Sequence, residues 1–221
     1  NRDDYTNSTP NSRPEHESML DIELGYGLTK EKLAFNVNLY NMAYKNQLII
    51  TGQLNDVGAA VRVNVADSYR RGVEFSGHIE LLEKLSWKFN ATLSDNKIAS
   101  FHEFIEDWDT EGLVDSVYSN TNIAFSPSII ASSQLVYQPF SSANNGTLEM
   151  AFITKYVGEQ FIDNTSSEFS LLDDYLVNDL RVSYTLKNKL FKEVVLSTWV
   201  RNLFNQNYIS NAWIYRFKSD G

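Results

Sequence analysis

Leu85-Ser86-Trp87-Lys88-Phe89-Asn90-Ala91-Thr92-Leu93-Ser94 places an apolar residue at every odd position and a polar one at every even position. A strand carries successive side chains on opposite faces, so this decapeptide has one greasy side and one wet side. The same period of two recurs along the 221 residues, in segments separated alternately by short turns and long loops. Strands whose side chains alternate between lipid and a watery lumen have this pattern.

Outward from the decapeptide, alternation predicts strands over 18–28, 33–49, 61–80, 85–94, 129–137, 147–156, 175–186 and 193–200, with a ninth beginning near Trp213. Leu20, Ile22, Leu24, Tyr26 and Leu28 share one face of the first, and Val61, Val63, Val65, Val73, Phe75 and Ile79 one face of the third. That third strand, at roughly 3.3 Å per residue, exceeds a typical soluble strand. Residues 95–125 and 157–172 are expected to be loops, and all four prolines (Pro10, Pro14, Pro127, Pro139) to lie outside strand interiors. Tight turns are expected at Lys30, Lys84, Asn145 and Asn188. The fold class is therefore all-β: an antiparallel transmembrane β-barrel, partial, of about 8–9 up-and-down strands with short periplasmic turns and long extracellular loops.

Composition narrows the alternatives. The chain is 43% hydrophobic, yet no window holds the run of about 18–20 apolar residues that a membrane helix needs. The absence of cysteine excludes disulfides and thiolate metal sites. A net charge of −9 speaks against nucleic acid as a partner, since no basic stripe is present to neutralise phosphates.

Tyr26, Trp87, Tyr137 and Tyr184 each lie near an expected periplasmic turn with the outward parity of their strands, where an interfacial aromatic girdle belongs. Arg62, Arg70, Glu74, His78, Lys88 and Asn90 have the opposite, lumen-facing parity. His78, with no triad or ligand set around it, reads as a lumen residue. The loop over 95–125 is rich in aromatics. Phe104, Asp107, Trp108, Asp109 and Tyr118 are candidates for an extracellular ligand surface, the competing reading being a loop that packs on itself. Asp107, Asp109 and Glu111 lack the glycine and distal glutamate of a calcium loop, and no metal or cofactor is expected. No catalytic motif is found, so no enzymatic activity is expected.

Several segments taken together resemble a known family. Arg13-Pro14-Glu15 followed by Leu24-Gly25-Tyr26-Gly27, Asn38-Leu39-Tyr40-Asn41-Met42 and Arg71-Gly72-Val73-Glu74-Phe75 occurs in the order seen in TonB-dependent outer-membrane receptors. Asn202-Leu203-Phe204-Asn205-Gln206-Asn207-Tyr208 resembles a motif of their late barrel strands. Glu106-Asp107-Trp108-Asp109 and Ala124-Phe125-Ser126-Pro127 look most like the Bacteroidetes-type members. The resemblance implies a chain that is a C-terminal segment of a barrel of about 22 strands, without the plug domain and the final strand. It implies a Gram-negative outer-membrane protein that binds an iron-siderophore, haem, cobalamin or oligosaccharide and imports it by energy-coupled transport. Its implied partners are outer-membrane lipid, the plug domain, the energy-transducing TonB complex and a surface lipoprotein. The alternatives are a soluble β-sandwich or lipocalin-like binding module, whose greasy face would point inward, and an outer-membrane enzyme.

Overall fold

A computed structural model describes residues 14–54, 60–142, 146–186 and 191–219. The expected turns at Asn145 and Asn188, and the loop residues 55–59, lie outside the described residues. The elements are β1 (Ser18–Lys30), β2 (Leu33–Leu54), β3 (Ala60–Leu82), β4 (Leu85–Asp107), β5 (Gly112–Asn122), β6 (Ile129–Ser142), β7 (Gly146–Val157), β8 (Gln160–Phe161), β9 (Leu171–Leu172), β10 (Tyr175–Leu186), β11 (Val194–Val200) and β12 (Phe217–Lys218). Ten strands form one sheet, eight of them along the antiparallel path β1-β2-β3-β4-β6-β7-β10-β11, with β5 and β12 each pairing with β4 off that path. This is a partial, unclosed barrel wall. Among the described residues no helix is long and apolar enough to cross a membrane.

Register carries the decapeptide's two faces across the whole sheet. Trp87 pairs with Ile79 and Leu135, Leu135 with Phe152, Phe152 with Leu180 and Leu180 with Val200. One residue along, His78 pairs with Lys88, Lys88 with Gln134 and Gln134 with Ile153. A slip of one residue in any pair would mix the faces. The apolar side stays open: Leu24 is 69% exposed and Leu196 60%.

β2, β3 and β4 have 22, 23 and 23 residues, about twice what a tilted strand needs to span a bilayer. Their upper halves follow a different phase. Ser68 Oγ donates to Gln47 Oε1 at 2.6 Å, although Ser68 pairs with Tyr44 and Gln47 with Val65. Cross-strand partners share a face, so Tyr44, Ser68, Gln47 and Val65 all lie on the inner side. The parity of β2 therefore reverses at Asn46, whose φ is 53°. β4 and β5 reverse at Ala99 and Asn120 (φ 54°): Ile98 and Thr121 are buried, as is Phe101, whose partner is Tyr118. Asparagine is among the few residues that adopt this left-handed conformation readily.

The third strand consequently does not keep one apolar face. Val73, Phe75 and Ile79 stay outward, whereas Val65 is buried on the inner side with Ile49, Ile98, Phe101 and Ile123, and Val63 packs against that cluster. The step lies about 14 residues above the lower turns, a height of roughly 33 Å at 3.3 Å per residue and a tilt near 45°.

The segment 95–125 is not a loop. β4 runs on to Asp107 and β5 returns along it, with Lys97 opposite Asn122 and Asp107 opposite Gly112. β5 and β6 are one descending strand broken at 123–128, where Ser94 N bonds to Ser128 O and Ile123 N to Asn96 O. Pro139 lies inside β6 rather than beyond it. It sits where the β6–β7 register shifts between Tyr137 and Phe140, a position that requires no ladder N–H from it. Near Trp213, where a ninth strand is expected to begin, the described residues form a ladder only at the two residues of β12, parallel to Glu106 and Asp107 of β4.

Candidate functional site

Three chain segments meet above the step: the β4–β5 hairpin, the excursion 158–174 and the tail 213–218. The excursion folds because its polar side chains are satisfied internally. Asp163, 1% exposed, accepts through Oδ1 from Thr165 N (3.0 Å), Thr165 Oγ1 (2.9 Å) and Ser170 Oγ (2.9 Å). Ile162 N donates to Ser170 O, closing the small β8–β9 ladder. Asn164, fully buried, accepts from Ala124 N and donates to Ile50 O (2.7 Å), fastening the excursion to β2 across 114 residues of chain. Ser166 Oγ accepts from both nitrogens of Asn122.

The tail adds charge. Arg216 Nη2 lies 2.7 Å from Asp163 Oδ2, and its Nη1 lies 3.4 Å from Glu103 Oε2. Glu103 is 7% exposed and also accepts from Tyr118 Oη (3.1 Å). Burial, and then the neighbouring Glu103 carboxylate, push the Tyr118 phenol above its ordinary range. Lys218 Nζ meets Asp107 Oδ2 at 3.2 Å, Tyr215 Oη donates to Glu106 Oε2 (2.6 Å), and the Trp108 ring stacks on Phe217 with centroids 4.1 Å apart.

The five candidate ligand residues are not gathered on one surface. Phe104 pairs with Asp115 on the exposed side of the hairpin beside His102, whereas Tyr118 pairs with buried Phe101 on the other side. Asp107 is buried and caps its own turn by accepting from Asp109 N (3.0 Å) and Thr110 N (3.3 Å). Trp108 stays 56% exposed at the tip. Among the described residues no group of three His, Asp or Glu side chains is arranged to hold a metal ion.

Of the six residues given lumen parity, Glu74, His78, Lys88 and Asn90 share the inner side with Asn38, Ser76 and Gln134. Arg70, below the step, donates to Ser126 Oγ (2.9 Å). Arg62 lies above the step, opposite Ile50, so the parity counted up from Glu74 does not carry to it. Tyr26, Trp87, Tyr137 and Tyr184 all lie on the apolar side near the lower strand ends, with Trp87 Nε1 donating to Ser133 Oγ and Tyr184 edge-on to Phe140. Asp163, Glu103 and Arg216 went unnoticed in the sequence. The local signal was Asp163-Asn164-Thr165, a run of residues that favour turn-forming side-chain bonds.

The turn Asn202–Tyr208 has a structural explanation. Asn202 (φ 49°) and Asn205 (φ 54°) take left-handed positions, Asn202 Oδ1 accepts from Gln206 N, and its Nδ2 donates to Gln206 O. Asp179 Oδ1 accepts Asn202 N, and Tyr208 stacks on Tyr175 with centroids 4.4 Å apart.

The tail's docking is expected to weaken in acid. Hydrogen bonds from Tyr215 and Trp108 hold the Glu106 carboxyl below its ordinary range. For Asp107, burial raises the value, but bonds from Asp109 N, Lys218 and Thr110 N outweigh it and the net shift is downward. A carboxylate with a lowered native value stabilises the fold above its unfolded value and loses that contribution as pH falls through the native one. Tyr215 is shifted upward, first by its bond to Glu106, so its contribution is lost only as pH rises beyond the usual phenol range. Trp108 fluorescence, taken as the difference from Trp108→Phe, is expected to stay flat from about pH 5 to 9 and to change below about pH 4. A flat signal throughout acidification would remove these carboxylates from the docking.

The family model described as "TonB dependent receptor-like, beta-barrel" matches residues 4–203. No curated protein sequence matches the chain. Among solved structures, the ferric yersiniabactin uptake receptor FyuA from Yersinia pestis is similar with a TM-score of 0.63 at 15% identity, over 90% of this chain and 27% of that one. BauA, the ferric preacinetobactin receptor from Acinetobacter baumannii, gives 0.60 at 16% identity, over 86% of this chain and 26% of that one. The copper transporter OprC gives 0.60 at 16% identity, over 89% and 26%. The chain thus spans about a quarter of the length of the solved structures it matches.

Proposed function

Because this chain belongs to the TonB-dependent receptor β-barrel family, we propose that it forms part of the wall and outer cap of a Gram-negative outer-membrane receptor that imports a scarce nutrient. The plug domain, the remaining strands and the motor-coupling contacts come from the rest of that receptor. The observation that carries the reading is the continuous apolar side across eight hydrogen-bonded strands, exposed at Leu20, Leu24, Leu39, Leu135 and Leu196. A soluble protein rarely leaves so wide an apolar surface to water, and here lipid covers it. Tyr26, Trp87, Tyr137 and Tyr184 serve as the girdle at the periplasmic headgroup level.

The cargo is an iron-siderophore, haem, cobalamin or oligosaccharide. The names of FyuA and BauA, both ferric-siderophore receptors, favour the first of these. The exposed Phe104 and Trp108 side chains are the parts of this chain best placed to meet cargo from outside, and a surface lipoprotein docking over the hairpin would meet the same rings. The deciding experiment is growth of a deletion strain on defined iron, haem, cobalamin and glycan sources, with uptake of the labelled compound. Loss of growth on one source, reproduced by dissipating the inner-membrane proton gradient, is the expected result. Unimpaired growth and uptake on every source would reject import as the function.

A further inference from the structure

The inner side of the sheet carries a pocket at its outer end. Ile153 pairs with Gln134 and Asp179, Lys155 with Ser132 and Val177, and Tyr175 with Val157, so these side chains share the side of Lys88. Tyr175 is the first residue of β10 and Val157 the last of β7, which sets the pocket at the upper strand ends, where the excursion begins and ends. The pocket has a volume of about 190 Å³. Ile153, Tyr175 and Val177 line it together with Arg201, Asn202 and Tyr208 from the chain beyond β11.

Two cations in its lining, Lys155 and Arg201, make no ion pair among the described residues. One row lower on the same side, Arg181 is paired with Glu149 at 2.9 Å. The one carboxylate in the lining, Asp179, is already engaged: Oδ1 accepts from Asn202 N (2.8 Å) and Oδ2 from Trp199 Nε1 (3.2 Å). The Arg201 guanidinium lies 5.0 Å from the Trp199 ring centroid, a contact that restrains it. Tyr175 stacked on Tyr208 supplies an aromatic wall, and Ile153 and Val177 an apolar floor. Two unpaired cations beside an apolar and aromatic hollow, on a chain of net charge −9, fit an anion that brings a flat apolar body with it.

We infer that this pocket takes a planar, carboxylate-bearing group of the cargo, an inference that rests on the import reading and on the inner side facing the lumen. The fork of Arg201 takes both carboxylate oxygens and Lys155 adds a second point charge. Tyr175, Tyr208 and Val177 pack against the plane of the group. Trp199 and Asp179 are positioning residues: Trp199 holds the guanidinium, and Asp179 holds both Trp199 and the backbone of Asn202. A compound entering from outside meets the upper strand ends first, so the pocket lies on its way in.

The test titrates the full-length receptor in detergent micelles with benzoate, its neutral isostere benzamide, and acetate, read by saturation-transfer NMR on the probe protons. A hydrogen bond to a charged group is worth about tenfold or more in affinity, so benzoate should bind at least about tenfold more tightly than benzamide. Acetate, which has no ring, should bind more weakly than benzoate. Arg201→Gln with Lys155→Gln should erase the preference over benzamide, either change alone should reduce it, and Lys155→Arg should keep it. Tyr208→Ala should weaken benzoate and benzamide alike. The proposal falls if the intact receptor binds benzoate and benzamide equally, the result expected if a carboxylate of its own plug already sits on the two cations. It also falls if the double variant keeps the preference, or if acetate binds as well as benzoate. The uptake experiment above separates the two readings. Uptake without a benzoate preference overturns the pocket alone, whereas no uptake from any source overturns import and the pocket's cargo role with it.

Discussion

Asp163→Ala should release the outer cap, at a cost of about 3–5 kcal/mol to its local stability. The side chain is 1% exposed and its Oδ1 alone receives three hydrogen bonds. Truncation leaves Thr165 N and the Thr165 and Ser170 hydroxyls without that acceptor and Arg216 without its nearer carboxylate. An unpaired charge in a buried position costs more than the pair contributes, so the loss exceeds that of any one hydrogen bond. Amide hydrogen exchange in the detergent-solubilised receptor reads the effect directly. Protection at Ile162, Thr165 and Ser170 should fall by several orders of magnitude while that of Trp87 and Phe89 in β4 stays unchanged. Asp163→Asn, which keeps an oxygen for the three donors, should lose less. Arg216→Met together with Glu103→Gln in the Asp163→Ala background should recover part of the loss, because neither the guanidinium nor the Glu103 carboxylate then stays buried without its partner. Unchanged exchange in Asp163→Ala would show that the cap is held by Asn164 and Ser166 instead.

Gly72→Ala is the second large effect, and it acts on the wall. A Cβ built at Gly72 would sit 2.3 Å from Leu93 O and 2.8 Å from Tyr40 Oη. The tyrosine can swing, but the carbonyl belongs to the neighbouring strand and its ladder, so β3 and β4 must separate locally. Overpacking of this kind costs about 1–3 kcal/mol, and the upper figure applies where backbone has to yield. The measurement is the fraction of receptor that migrates as the folded, heat-modifiable form, with its urea midpoint. Gly25→Ala is the control: there the nearest atom to a new Cβ is the side-chain oxygen of Asn38 at 3.5 Å, an ordinary contact, and no change is expected. Equal behaviour of the two variants would show that the β3–β4 contact at Gly72 is not tight.

Gly72 also marks how far the sequence could be read. Alternation alone placed the strands of the lower wall at nearly their observed ends, because lipid on one side and polar side chains on the other impose a period of two. It failed where that constraint ends. Residues 95–107, rich in Asp, Glu, Asn and aromatics, read as loop in the sequence, yet they continue β4 by pairing with β5. Asn46 and Asn120 were the visible signs of the reversal, but Asn46 reads as an ordinary polar strand residue and Asn120 as a loop residue until the left-handed φ is known.

The sequence by itself determined the alternation, the register-compatible faces and the outward parity of the aromatics near the lower strand ends, all set by neighbours a few residues apart. Only the tertiary structure decided the upper half. Asn164 finds Ile50 across 114 residues of chain, and Arg216 finds Glu103 across 113. Burial of Asp163 depends on both the excursion and the tail having arrived. Local pattern cannot encode such meetings, since the energy of a buried polar group depends on whether a distant partner is there to satisfy it.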